Sequence, residues 1–162
     1  MLSLPSICFV SLQPQTDAGE TEGPRADAGL TEPPQWIKYD RKVLCFMTYF
    51  KEAVYERSDE SYRVRCLNLN YFLEDGTLEL HEPKQENSGV PQGMFLHRGL
   101  HVKSPGVPYT LDDFRVGSTV RLSNIEHMVY AVDRTTREWM AANHGVQMQA
   151  NMKAPNDPFM TE

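Results

Sequence analysis

The chain has 162 residues, 40% hydrophobic and 23% charged, with a formal net charge of −6, which suits one domain with tails. Residues 1–35 hold five acids and one arginine (−4), residues 36–143 fifteen acids and fourteen bases (−1), and residues 144–162 two acids and one lysine (−1). A nearly neutral centre behind an acidic arm excludes the basic footprint of a DNA or RNA binder and a polybasic membrane patch, and no apolar run reaches the roughly 18 residues that would span a bilayer.

The start, MLSLPSICFVSLQ, is apolar from Leu2 to Leu12. It lacks a basic residue before the apolar part and Pro5 interrupts it, so it does not read as a secretory signal. Residues 13–35 are rich in Gly, Pro, Ala, Thr and acids, with Leu30 the one large apolar residue. Such a segment buries too little surface to offset its ordering entropy. Residues 1–35 are therefore expected to form a disordered or extended N-terminal arm, residues 36–143 the folded domain, and residues 144–162 a tail.

Val43 to Phe50 is an apolar, aromatic and β-branched run that predicts a strand, and Arg57 to Ser61 reads as a turn. In YRVRCLNLNYFL the apolar positions are Tyr62, Val64 and Cys66, then Leu67, Leu69, Tyr71 and Leu73. Strand side chains alternate with a period of two, so this change of phase predicts a bulge or bend at Cys66. Asp75-Gly76 predicts a hairpin leading to a strand with Leu78 and Leu80 on one face. Met94 to Val102 predicts a further strand, with Gly99 marking a bulge or close backbone contact. KSPGVPYTLDDF reads as a loop with one helical turn at Leu111 to Phe114. TVRLSNI and HMVYAVD predict a strand pair turning around Asn124 to Glu126, the last strand buried on both faces. DRTTREWMAAN predicts a helix capped by Asp133 or Thr135, with Trp139, Met140 and Ala142 on its apolar side and Gly145 as its stop. Six or seven strands and one helix describe a small bent barrel with its open end plugged by that helix.

The polar residues form no recognisable catalytic or metal-binding motif. Cys8, Cys45 and Cys66 are an odd set without close spacing, which favours buried reduced thiols over a disulfide framework or a zinc module. Ser88 lacks a nucleophile-elbow setting. His97 and His101 lack a third ligand at zinc spacing and read as a surface pair. Glu74-Asp75 reads as turn chemistry and Asp112-Asp113 as a loop or cap, neither extending to a calcium loop. Gly89 and Gly93 flank Pro91 and Gln92 in the wrong pattern for a phosphate cradle. Arg63, Arg65, Arg98 and Arg121 could form a basic face, but cross-strand pairing with Glu52, Glu79 and Glu82 is the better reading. No catalytic residue, cofactor or metal site is expected.

Three stretches carry a likeness: WIKYDRKVLCFMTYFKEAV, YRVRCLNLNYFLEDGTLELHEPKQENSGVPQGMFLHR and YTLDDFRVGSTVRLSNIEHMVYAVDRTTREW. From Trp36 to Ala142 the chain closely resembles the DM-ten domain family. It is most similar to the domains of the EF-hand-domain-containing ciliary proteins, also called myoclonin or protofilament-ribbon proteins. The matching positions include Arg63, Arg65, Glu82, Asn87, Ser88, Gly89, Gln92, Gly93, Arg98, Thr136 and Arg137.

The resemblance implies a mainly β, pleckstrin-homology-like bent barrel of about seven strands capped by one C-terminal α-helix. It also implies a non-catalytic structural module that binds tubulin and other microtubule inner proteins inside the doublet microtubules of the ciliary or flagellar axoneme, with no nucleic acid and no membrane as partner. The matching residues are then candidates for partner contact. Gly76 stands where the family has a second acid, and SNIEH replaces the usual segment before the last strand. This sequence carries one such domain, no calcium loop and no kinase, so neither calcium sensing nor kinase activity is implied. The alternative is an adaptor of the same fold binding a peptide or a phosphoinositide. The connection KEAVYERSDES holds two bases and four acids, which disfavours the phosphoinositide.

Overall fold

The computed structural model describes residues 32–55, 62–86 and 88–156. The arm over residues 1–31, Cys8, the turn expected from Arg57 to Ser61, Asn87 and the last six residues lie outside the described residues.

A one-turn helix α1 (Gln35–Lys38) leads into β1 (Val43–Ala53), followed by β2 (Tyr62–Phe72), β3 (Leu78–His81), β4 (Met94–Gly99), β5 (Val102–Ser104), β6 (Val107–Pro108), a 3-10 turn at Leu111–Asp113, β7 (Thr119–Leu122), β8 (Ile125–Val132) and α2 (Arg134–His144). Six strands form one curled half-barrel sheet in the order β4-β3-β2-β1-β8-β7, and β5 and β6 form a separate hairpin. The fold is mainly β with a C-terminal helix. The Met94 to Val102 run is not one strand: it breaks after Gly99, and the expected loop at KSPGVP holds the β5–β6 hairpin.

Alternation builds the core. Leu44, Phe46, Thr48 and Phe50 of β1 are buried while Cys45, Met47 and Tyr49 are half-buried. Leu67, Leu69 and Tyr71 of β2, Leu78 and Leu80 of β3, and Val129 and Val132 of β8 complete the concave face. The segment after β6 fills the hollow: Phe114 is fully buried, its ring 5.4 Å from Phe46 and 5.7 Å from both Tyr71 and Tyr109. The Tyr109 hydroxyl donates to the Arg121 carbonyl (2.8 Å) and accepts from the Arg121 N–H (3.0 Å), which fixes the end of the hairpin to β7.

The bulge expected at Cys66 is absent. β1 and β2 pair without a slip from Val43↔Phe72 to Ala53↔Tyr62. Arg63 and Arg65 therefore share the concave face with Leu67, while Tyr62, Val64 and Cys66 join Asn68 and Asn70 on the convex face. The physical reason is the short reach of β3, which pairs only with Asn68 to Tyr71. Beyond Leu67 the concave face runs to the end of the sheet, where an arginine can reach a partner. The irregularity lies in β8, where Tyr130 is the extra residue between Val129, opposite Thr48, and Ala131, opposite Met47. This puts Ala131 on the convex face and Val132 on the concave face, both buried, with Tyr130 half-buried. The turn of the β7–β8 hairpin is Ser123-Asn124, one step earlier than expected, with φ values of 51° and 62° as a type I′ turn requires.

α2 begins at Asp133, whose side chain accepts the Thr136 N–H (3.1 Å). Thr136 and Met140 are buried and Trp139 packs edge-on to Tyr39 at 6.0 Å. Ala142 is exposed, two positions beyond Met140 and off the buried stripe through 136 and 140.

Candidate functional site

The described motif residues resolve into three clusters, and each cluster is turned toward the fold itself. The first closes the sheet end away from α2. Arg65 forms a two-pronged ion pair with Glu82: its Nε donates to Oε1 at 3.1 Å and its Nη2 donates to Oε2. Nη1 reaches Glu52 at 3.4 Å. Glu82 is only 4% exposed. The guanidinium lies 5.7 Å over the Phe50 ring and 5.5 Å over the Phe95 ring, within cation–π range. The Glu82 hydrogen bond raises the Arg65 pKa further above its ordinary value.

Behind those rings sits His127, fully buried, 5.2 Å from Phe50 and 6.0 Å from Phe95. Neither of its nitrogens makes a hydrogen bond to a described residue. The Leu122 carbonyl favours the cation slightly but is too poorly placed to count as a bond, so burial dominates and pushes the imidazole down to about 4.

The loop after β3 hangs from this ion pair. The Glu82 N–H donates to the Gly93 carbonyl (2.7 Å), the Gln85 N–H to Gln92 Oε1 (2.6 Å), and the Ser88 hydroxyl to the Val90 carbonyl (3.3 Å). Gly89 and Gly93 have φ of +68° and +136°, backbone conformations that a side chain disfavours. Glu82, Ser88, Gly89, Gln92 and Gly93 thus shape one connection. Arg63 stands in register with Glu52.

The second cluster belongs to the β2–β3 hairpin. Arg98 donates to Asp75 Oδ2 (2.7 Å), to Glu74 Oε1 (2.5 Å) and to the Thr77 hydroxyl (2.8 Å), and covers the Phe72 ring at 3.7 Å. Asp75 Oδ1 also accepts the Thr77 N–H (3.0 Å). Arg98 therefore pairs with the turn acids, and Glu79 takes Asn70 instead (3.0 Å). The Asp113 carboxylate caps the 3-10 turn through the Thr110 N–H (2.9 Å) and holds Lys103 (2.8 Å). Burial pushes that carboxyl up, but Lys103 and Thr110 outweigh it and hold it below the usual range.

The third cluster fastens α2 and the tail. The Cys45 N–H, beyond the end of β8, donates to Thr136 Oγ1 (2.9 Å). Arg137 donates to the Met148 and Gln149 carbonyls (both 2.8 Å) and to Asn151 Oδ1 (2.5 Å). Asn151 in turn accepts the Val132 N–H (3.2 Å) and donates to the Val132 carbonyl (3.1 Å), and the Met152 N–H donates to the Tyr130 carbonyl (2.7 Å). The tail is thus tied to β8 beyond the end of β7.

The clusters do not converge on one pocket. Among the described residues no group of three His, Cys, Asp or Glu side chains could hold a metal ion. Cys45 and Cys66 are half-buried thiols outside any disulfide. Sequence reasoning missed Asn151, Tyr109 and His127. The first two act through hydrogen bonds to distant backbone, and His127 shows only as one apolar-phase position of β8.

A half-barrel capped by a helix, with its described motif residues largely spent on internal bonds, defines a small mainly β structural domain. A sequence profile of the DM10 domain matches residues 33–136, and the chain belongs to the DM10 domain family. EF-hand domain-containing family member C2 of Bos taurus is 33% identical over 133 residues, covering 80% of this chain and 18% of that protein. The Danio rerio C2 protein is 34% identical over 131 residues, covering 79% and 17%. EF-hand domain-containing protein 1 of Mus musculus is 34% identical over 141 residues, covering 86% and 22%. The chain spans only about a fifth of the length of these relatives. Their names state a domain content and no enzymatic activity, and the family fits a structural or cytoskeletal role.

Proposed function

We propose that this chain is a non-catalytic binding module that holds tubulin and neighbouring inner proteins in the wall of ciliary and flagellar doublet microtubules. One observation carries the non-catalytic part: Arg65, Glu82, Arg98, Thr136 and Arg137, five of the polar residues by which the sequence resembles its family, bond to the fold itself. Their task is to hold a shape, and a held shape serves binding. Family membership supports the lattice as the setting.

Fractionation of axonemes tests the reading. The protein is expected to stay with the doublets through detergent and high salt and to leave only when the doublets dissolve. Release by mild salt or detergent overturns it. Retention on anionic liposomes would favour the adaptor alternative instead.

A further inference from the structure

We infer a second, outward-facing site: the groove between β5 and the β7–β8 turn, with the apolar ridge beside it, binds an acidic protein segment that carries large apolar side chains. In the doublet wall proposed above, that segment would belong to tubulin or a neighbouring inner protein.

The ridge is the β4–β6 corner. Leu100, Val102 and Val107 are 63%, 51% and 42% exposed, three large apolar side chains within eight residues. Val102 and Val107 stand with Pro105 and Pro108 on a two-stranded hairpin outside the main sheet, and Leu100 leads into it. A cluster of exposed apolar side chains on a stiff hairpin marks an interaction surface more than scattered apolar residues do.

The groove beside it has a volume of about 410 Å³ and is lined by Val102, Lys103, Arg121, Ser123 and Asn124. Two of the five are cations, two can donate hydrogen bonds from short polar side chains, and none is an acid. From residue 87 to residue 111 the chain contains no carboxylate, although the whole chain carries −6. Lys103 is partly neutralised by Asp113 at 2.8 Å. Arg121 is different. Its backbone is held by Tyr109, yet its guanidinium makes no ion pair or hydrogen bond with a described residue. Glu126, its partner in register on β8, leaves it unpaired. Arg65, Arg98 and Arg137 are engaged instead, with Glu52 and Glu82, with Glu74 and Asp75, and with the tail carbonyls.

A rigidly based, unspent guanidinium in an acid-free groove fits a carboxylate, which it can take bidentately. The adjoining ridge would take apolar side chains from the same segment. That pairing selects a protein segment over a lipid headgroup, since two cations are fewer than a polybasic membrane site needs. Ser123-Asn124 closes the β7–β8 hairpin as a tight two-residue turn with positive φ at both positions, so the pairing of the two strands sets this wall of the groove.

The test uses the full chain and two fluorescein-labelled twelve-residue probes, one alternating glutamate with leucine and one alternating lysine with leucine. Anisotropy should show the glutamate probe bound more tightly, with affinity falling as salt rises. Arg121→Glu, whose side chain holds nothing in the fold, should weaken the glutamate probe by about tenfold or more at low salt. Val102→Ser should weaken both probes. Thermal melts should match wild type for Val102→Ser and fall only slightly for Arg121→Glu, which sets a carboxylate opposite Glu126. Equal binding of the two probes, an unchanged affinity in Arg121→Glu, or no binding of the glutamate probe to wild type would each overturn the site. So would binding to phosphatidylserine vesicles that Arg121→Glu abolishes while the glutamate probe stays unbound. Loss of wild-type protein from axonemes in mild salt bears on the lattice reading alone, because probe binding does not depend on a doublet.

Discussion

Glu82→Gln removes the carboxylate that neutralises a largely buried guanidinium. The Arg65 side chain is 16% exposed and that of Glu82 5%. Breaking a buried ion pair by removing one partner costs about 3–5 kcal/mol, mostly because the other charge is left uncompensated. Two features lower that figure. Glu52, 3.4 Å away and half in solvent, keeps some of the neutralisation, and the Phe50 and Phe95 faces still stabilise the cation. The expected loss is therefore about 2–3 kcal/mol. At about 3–5 °C per kcal/mol for a domain of this size, Tm should fall by roughly 10 °C. Urea unfolding followed by tryptophan fluorescence measures the loss directly. The double variant Arg65→Met/Glu82→Leu, which sets apolar side chains against the two rings, should recover at least half of it. A loss below about 1 kcal/mol in Glu82→Gln, or a double variant no better than the single one, would refute the view that this pair closes the sheet end.

His127 gives the domain an acid-sensitive core. Its folded pKa of about 4 lies below the ordinary 6.5, so the unfolded chain takes up the proton first. The contribution is complete above pH 6.5 and is lost as pH falls toward 4, with about 2 kcal/mol gone by pH 5. Urea midpoints at pH 7 and pH 5 should differ accordingly, and His127→Phe, which adds a third ring beside Phe50 and Phe95, should remove most of the difference. Asn151→Ala strips both partners from Val132 at once. It should cost about 1–3 kcal/mol and speed hydrogen exchange at the Val132 and Met152 amides, leaving the Leu69 amide on β2 protected.

Features encoded by neighbours in sequence were legible. Asp75-Gly76 made its hairpin, Asp133 capped α2 and Gly145 ended it with φ of 62°. What could not be read depends on length and distance. β6 is two residues long and includes a proline, below any periodic signal. Asn151 bonds Val132 nineteen positions away. The change of phase in β2 was real but its cause was misread. Alternation tells which residues share a face and does not tell where a neighbouring strand stops. Once β3 ends, the concave face at Arg65 meets Glu82 and two rings, and a charge belongs where the pattern called for an apolar residue.

The same geometry separates what identifies this domain from what it would touch. A resemblance carried by Arg65, Glu82, Gly89, Gly93, Arg98, Thr136 and Arg137 is a resemblance of interior joints: a sheet end, a loop, a hairpin and a helix seat. Such joints can be matched in sequence because each tolerates few side chains, for the φ of Gly93 or the burial of Glu82 leaves little choice. Leu100, Val102 and Val107 are largely exposed and the Arg121 guanidinium has no described partner, so the fold constrains the side chains of the proposed site far less. Two domains with the same joints can therefore present different ridges, and partner choice should follow the β5–β6 hairpin and the β7–β8 turn instead of the motif.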